Sequence, residues 1–171
     1  MAHSADTENS LDKGIARLGR VISWCVPAIA FLVLIIVVLR YGFNTGAIAA
    51  QESVQYLHAI IFMLGAAITL GADQHVRVDI FYRQFSSRQK AWVNVIGHIT
   101  FTLPLCGLIG IGSWDYVADS WSAREASPEP GGLPLVFILK TLIPAMAILL
   151  ALQALSQIHR ATSILRERGN D

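Results

Sequence analysis

Four long runs of apolar residues divide this sequence, and they constrain its fold more than any other feature. A transmembrane helix needs about 20 such residues, because the hydrocarbon core of a bilayer is about 30 Å thick and a helix rises about 1.5 Å per residue. Each run has at least 19 residues, and Lys140 is the one charged residue within them. The sequence therefore predicts four spans, at about residues 21–39, 53–72, 91–113 and 133–158.

Helices are the expected form of these runs. An isolated strand would leave its backbone amides unpaired in lipid, and the runs lack the alternation of a membrane barrel. A soluble bundle is excluded by composition, since only 15% of the residues are charged, against about a quarter in soluble domains. We predict an all-α integral membrane protein with a single membrane domain over residues 1–171, whose polar tails are residues 1–18 and 161–171.

The positions of lysine and arginine predict the orientation of the four spans. Cytoplasmic segments of membrane proteins are enriched in these residues. Ten of the 13 basic residues lie before the first span, between the second and third spans, or after the fourth. The other three are Arg40, Arg124 and Lys140. We therefore expect both termini and the middle loop in the cytoplasm, and the loops at about 41–52 and 114–132 on the outer side.

Lys140 is the most notable charged residue, because it lies inside the fourth span, about 10 Å from its start at 1.5 Å per residue. A buried lysine in a membrane is relieved by extending to the surface or by pairing with an acid. One interpretation directs it outward, towards Glu125, Glu129 or lipid headgroups. The other pairs it with an acid, either Glu52 at the start of the second span or a residue of a partner.

Two histidines lie within the predicted spans. His58 and His98 are candidates for a functional role, because polar side chains in a membrane cost free energy. The alternative, which we favour, is that each stabilises the fold by a hydrogen bond to a neighbouring helix.

Small residues and prolines indicate how the helices pack. Gly65 and Ala66 in the second span permit close approach of another helix, which is how helices associate in lipid. Pro27, Pro104 and Pro144 lie inside spans, where they are expected to bend the helix locally.

The sequence contains no motif for catalysis. It has no phosphate-binding loop, no dinucleotide fingerprint and no zinc-binding His-Glu-x-x-His motif. Cys25 and Cys106 both lie in spans and match no metal-ligand spacing. The 13 basic and 12 acidic residues nearly cancel, which gives no reason to expect nucleic acid as a partner. We expect neither enzymatic activity nor a cofactor.

A set of markers from residue 18 to residue 160 resembles one family of membrane proteins, the small membrane subunit (DctQ type) of tripartite ATP-independent periplasmic (TRAP) transporters. The segment His75–Asp79 is similar to that family's motif of histidine and aspartate separated by alternating apolar residues. The other markers, in chain order, are Leu39–Asn44, Glu52, Phe62, Gly65–Ala66, Trp121–Glu125, Ser127–Pro128, Lys140–Pro144 and Gln153.

The resemblance implies a supporting role in transport. In this family a periplasmic binding protein delivers an organic anion to a large membrane subunit, which moves it together with sodium. The small subunit packs beside the large one in the bacterial inner membrane. The resemblance therefore implies three partners: the large TRAP membrane subunit, the periplasmic substrate-binding protein and the lipid bilayer. Candidate interface or structural residues are Glu52, Gly65, Ala66, His75, Asp79, Lys140 and Pro144.

Two other classes of function remain open at this point. An independent homo-oligomeric channel would need a line of polar residues through the bilayer. The residues available for it are His58, Thr69, His98, Thr100, Thr102 and Lys140. A haem-carrying subunit would need His58 and His98 as axial ligands.

Overall fold

The computed structural model describes the backbone of residues 10–72 and 85–167, and every regular element in these two ranges is helical. Within them, four segments are long and apolar enough to cross a membrane, which confirms the predicted fold class. In chain order the helices are α1 (Ser10–Ser23), α2 (Cys25–Gly42), α3 (Ile48–Gly71), α4 (Ser87–Gly97), α5 (Leu103–Gly112), α6 (Trp114–Ser122) and α7 (Val136–Glu167), and a π-helical turn at His98–Thr102 joins α4 to α5.

The helical segments extend beyond the predicted spans. The third segment runs over Ser87–Ser122, so residues 114–122, which the sequence analysis assigned to a loop, form α6. The last helix continues to Glu167, beyond Arg160 and into the predicted polar tail. Hydropathy marks only the apolar part of a helix, whereas the backbone hydrogen bonds continue into its amphipathic turns.

Helix α7 lies at the centre of the bundle. It contacts α3 on one side and α4 and α5 on the other, while α2 packs mainly against α3. The spans are therefore arranged in the order first, second, fourth, third. Small side chains permit this packing, because Ala147 and Ala154 of α7 are almost fully buried and a Cβ at Gly110 would lie only 3.7 Å from that of Ala147.

Two prolines coincide with departures from α-helical geometry. Proline has no N–H to donate to the carbonyl four residues earlier. Near Pro27 the first segment is interrupted at Trp24, and immediately before Pro104 the third segment contains the π-helical turn. The helix around Pro144 is continuous, and Pro144 is buried.

A capping box sets the start of α4. The Ser86 hydroxyl accepts from the backbone N–H of Gln89 at 3.3 Å, and the backbone N–H of Ser86 donates to Gln89 Oε1 at 2.8 Å. One turn later, Ala91 packs with Ala161 in a small buried cluster between α4 and α7. We call this end of the bundle, which also holds α1 and the end of α7, the basic end. The opposite end, formed by α6 and residues 123–135, is the loop end.

Candidate functional site

Glu125, Ser120 and Tyr116 of the loop end form a cluster around Lys140. Its ammonium group donates to Glu125 Oε2 and lies 3.8 Å from the centre of the Tyr116 ring. Ser120 donates to the same carboxylate oxygen at 2.6 Å. The Lys140 side chain is only 14% exposed. An ion pair and a cation–π contact therefore compensate the positive charge near the start of α7.

This arrangement decides between the two interpretations of Lys140. The interpretation that pairs Lys140 with Glu52 is wrong, because the ion pair is made with Glu125. The alternative, in which Lys140 extends outward towards Glu125, is confirmed. The physical reason is reach: the chain returns from α6 directly over the start of α7 and brings Glu125 to the lysine, while other donors occupy the Glu52 carboxylate.

Glu52 instead joins the second span to the loop before α7. Its carboxylate accepts from the Ser127 hydroxyl and, at 2.6 Å, from the backbone N–H of Leu133. Gly132 lies against this contact so closely that a Cβ there would be 2.7 Å from Glu52 Oε1. We call Glu52, Ser127, Gly132 and Leu133 the Glu52 cluster. It connects α3 to a loop about 80 residues later in the chain.

A third contact fixes the end of α6. The Trp121 indole N–H donates to the Thr141 hydroxyl at 2.8 Å, and the Trp121 ring meets that of Phe137 edge to face at 4.8 Å. Together with the two clusters, this contact holds α6 and the loop against α3 and α7. The loop end is therefore a defined surface rather than a free connection.

The hydrogen bonds around Glu125 also act on its ionisation. Donation by Lys140 and by Ser120 lowers the pKa of the Glu125 carboxyl from its ordinary value of 4.5, against a smaller opposing effect of desolvation. The carboxylate is thus the form that the fold stabilises.

His98 is the centre of a hydrogen-bonded network in the interior. The Gln157 amide N–H₂ donates to the Leu70 carbonyl, which leaves Gln157 Oε1 to accept from His98 Nε2 at 2.9 Å. The Thr102 hydroxyl lies 3.2 Å from His98 Nδ1. His98 is buried. The network joins the second, third and fourth spans, as the structural interpretation of this histidine predicted.

The other candidate residues lie apart from these clusters. Gly65 and Ala66 are partly exposed, and a Cβ at Gly65 would meet no atom within 4 Å, so the face of α3 at Gly65 is open. His58 is exposed on α3. The candidates His75 and Asp79 lie outside the described residues.

The basic end contains a cavity of about 470 Å³. It lies between the start of α4 and the last turns of α7, and its lining includes Lys90, Asn94, Gln157 and Arg160. Lys90 and Arg160 belong to the ten basic residues that predict the cytoplasmic side.

Sequence reasoning missed several residues that the structure brings into these contacts. Ser120 and Tyr116 were not considered, although both lie close to Lys140. Gln157 was also missed, although its position four residues after the buried Gln153 places two polar side chains on one face of the last span. Such spacing in a transmembrane helix indicates a face that packs against protein.

The fold and these contacts define a membrane-spanning protein of four helices, with a hydrogen-bonded interior and a fixed loop at one end. Residues 29–163 match the family model of the tripartite ATP-independent periplasmic transporters, DctQ component. Because the match covers most of the chain, the protein belongs to this family of transporter subunits, which are not enzymes.

One curated relative comes from Haemophilus influenzae and carries a provisional name as a TRAP transporter small permease protein. It is 31% identical over 93 residues, which are 53% of this chain and 57% of the relative. The chain thus matches a little over half of that relative's length. No solved structure matches the chain.

Proposed function

We propose that this chain is the small permease subunit of a TRAP transporter in a bacterial inner membrane, with both termini in the cytoplasm. It packs beside the large membrane subunit and supports it during sodium-coupled uptake of an organic anion, which a periplasmic binding protein delivers. Family membership supports the assignment to the transporter. The sodium and substrate sites belong to the large subunit in this proposal.

The observation that carries the supporting role is that the polar groups of the described spans bond mostly within the chain. Lys140 pairs with Glu125, and His98 bonds to Gln157 and Thr102. A substrate pathway would need such groups to face an open route through the bilayer. Here they fix helices to one another, which suits a scaffold.

The same observation weighs against an independent channel. Two of the three hydroxyls proposed for its polar line donate to their own helices, Thr69 to the Gly65 carbonyl at 2.9 Å and Thr100 to the Ile96 carbonyl. The third, Thr102, lies 3.2 Å from His98 Nδ1. A haem-carrying subunit is likewise disfavoured, since both ring nitrogens of His98 have hydrogen-bond partners.

Purification in mild detergent tests the proposal. We expect a tagged form of this chain to retain the large subunit in stable proportion, with neither tag position nor detergent changing that ratio. Recovery of the chain alone, from membranes that contain both proteins, would contradict the proposal.

A further inference from the structure

Helix α3 carries a row of exposed polar side chains. Gln51, Gln55 and His58 follow one another at spacings of four and three residues, which places them on one face of the helix. All three are exposed in the structure, and none hydrogen-bonds another side chain in the part of the chain described. We call these three residues the polar stripe.

The polar stripe enters the outer half of the second span. The Glu52 carboxylate accepts from the backbone N–H of Leu133, where the fourth span begins, so Glu52 marks the outer end of the second span. At 1.5 Å per residue, Gln55 lies about 5 Å and His58 about 9 Å inside that level. Polar side chains inside the bilayer cost free energy and generally face protein or water.

The exposed faces of the neighbouring spans are different. On the third span the exposed side chains from the middle to the outer end include Phe101, Leu105 and Leu108, with exposures of 76, 54 and 73%. The exposed Thr100 beside them donates to its own helix. On α7 the exposed side chains include Ile138 and Ile148. These apolar faces suit lipid tails, whereas the polar stripe does not.

The polar stripe continues into a surface that a second helix can approach closely. Phe62, 70% exposed, follows on the same face, and beyond it a Cβ at Gly65 would meet no atom. In membranes, helices associate through such small residues together with hydrogen bonds between side chains. The face therefore combines room for close packing with groups that need hydrogen-bond partners.

We infer that the polar stripe and its continuation through Phe62 and Gly65 form the contact with a transmembrane helix of the large membrane subunit. The occupant offers hydrogen-bonding groups in the outer half of the membrane, opposite Gln55 and His58, and a narrow surface opposite Gly65. This inference rests on the proposed function, since the family's tripartite assembly supplies the partner. A second copy of this chain and lipid are the competing occupants.

Photo-crosslinking in native membranes tests the contact, with the full chain expressed beside the large subunit. A photoreactive p-benzoylphenylalanine replaces Phe62 in one variant and Phe101 in the other. The two positions form a matched pair, because both are exposed phenylalanines in membrane spans. We expect an adduct with the large subunit from Phe62, at several times the yield from Phe101. Equal or higher yield from Phe101, or an adduct of two copies of this chain from Phe62, would overturn the inference.

A substitution provides a second measurement. Gln55→Leu should reduce recovery of the large subunit about threefold, the effect typical of one interhelical hydrogen bond in a membrane, while the level of the chain in the membrane stays constant. Leu108→Ala on the third span is the control and should leave recovery unchanged. Unchanged recovery with Gln55→Leu and no adduct from Phe62 would reject this face. If the two subunits copurify in that case, the proposed function stands; if they never copurify, the proposed function itself fails.

Discussion

Lys140 of α7 is ion-paired with Glu125, fifteen residues earlier in the chain and across the turn from α6. The pair lies where the fourth span begins, and the lysine also contacts the Tyr116 ring. It therefore stabilises the loop end by joining the loop after α6 to the first turns of α7.

Removal of the two charges together should therefore cost less stability than the sum of the two separate losses. Glu125→Gln leaves the Lys140 ammonium, whose side chain is only 14% exposed, without its acid, and Lys140→Met removes both the ion pair and the contact with Tyr116. Each should lower the unfolding midpoint in detergent by a few degrees. The double variant should lose less than the sum of the two, because contacting residues are coupled. Glu129→Gln in the exposed part of the loop is the control, expected to leave the midpoint unchanged. Strictly additive losses would show that the two side chains do not interact.

The stabilisation by Glu125 should depend on pH in a defined direction. Because the Lys140 and Ser120 hydrogen bonds lower the pKa of the folded carboxyl below 4.5, the unfolded chain takes up the proton first as the pH falls. The contribution is therefore complete above pH 4.5 and is lost as the pH falls through the folded-state pKa. The midpoint difference between the unaltered chain and Glu125→Gln should be constant near neutral pH and shrink below pH 4.5. A difference that grows on acidification would contradict this sign.

Gly132 should not tolerate a side chain. A Cβ there would lie 2.6 Å from the Ser127 Cβ and 2.7 Å from Glu52 Oε1, so Gly132→Ala should displace the loop at a cost of about 1–3 kcal/mol. Gly46→Ala is the matched control, because a Cβ at that loop position meets no atom within 4 Å. Limited proteolysis of the loop should be faster in Gly132→Ala than in Gly46→Ala. Equal rates would mean that the Glu52 cluster does not hold the loop.

The orientation can be measured with introduced cysteines. Ser87 lies at the basic end and Ala126 in the loop end, and both are exposed. In intact cells an impermeant maleimide should label Ala126→Cys, while Ser87→Cys should react only after the membrane is opened, because lysine and arginine favour the cytoplasmic side. The unaltered chain, whose Cys25 and Cys106 lie in spans, provides the background. Labelling of Ser87→Cys alone would invert the proposed topology.

The four spans could be predicted from the sequence because the apolar length of a helix is a local property. The ends of the helices were harder to predict from the sequence. Helix α6 lies in a predicted loop, because its polar residues Asp115 and Asp119 interrupt the apolar pattern that continues from α5. The motif residues His75 and Asp79 remain predictions, because they lie outside the described residues.

The order of the spans and the polar partners could not be predicted, because they depend on which helix faces meet. Nothing local to Glu52 indicates that its carboxylate binds Ser127, 75 residues away. Lys140 shows the same limit: its charge required a partner, but only the return of the chain over α7 decides between Glu52 and Glu125.

Reconstitution measures the central claim, that this chain supports transport without performing it. One set of proteoliposomes would carry this chain alone in its membrane, and another would carry this chain with the large subunit. Both would have a sodium gradient across the membrane, and the binding protein, loaded with its radiolabelled organic anion, would be added outside. The account predicts uptake with both membrane subunits and none with this chain alone. Uptake by this chain alone would contradict it.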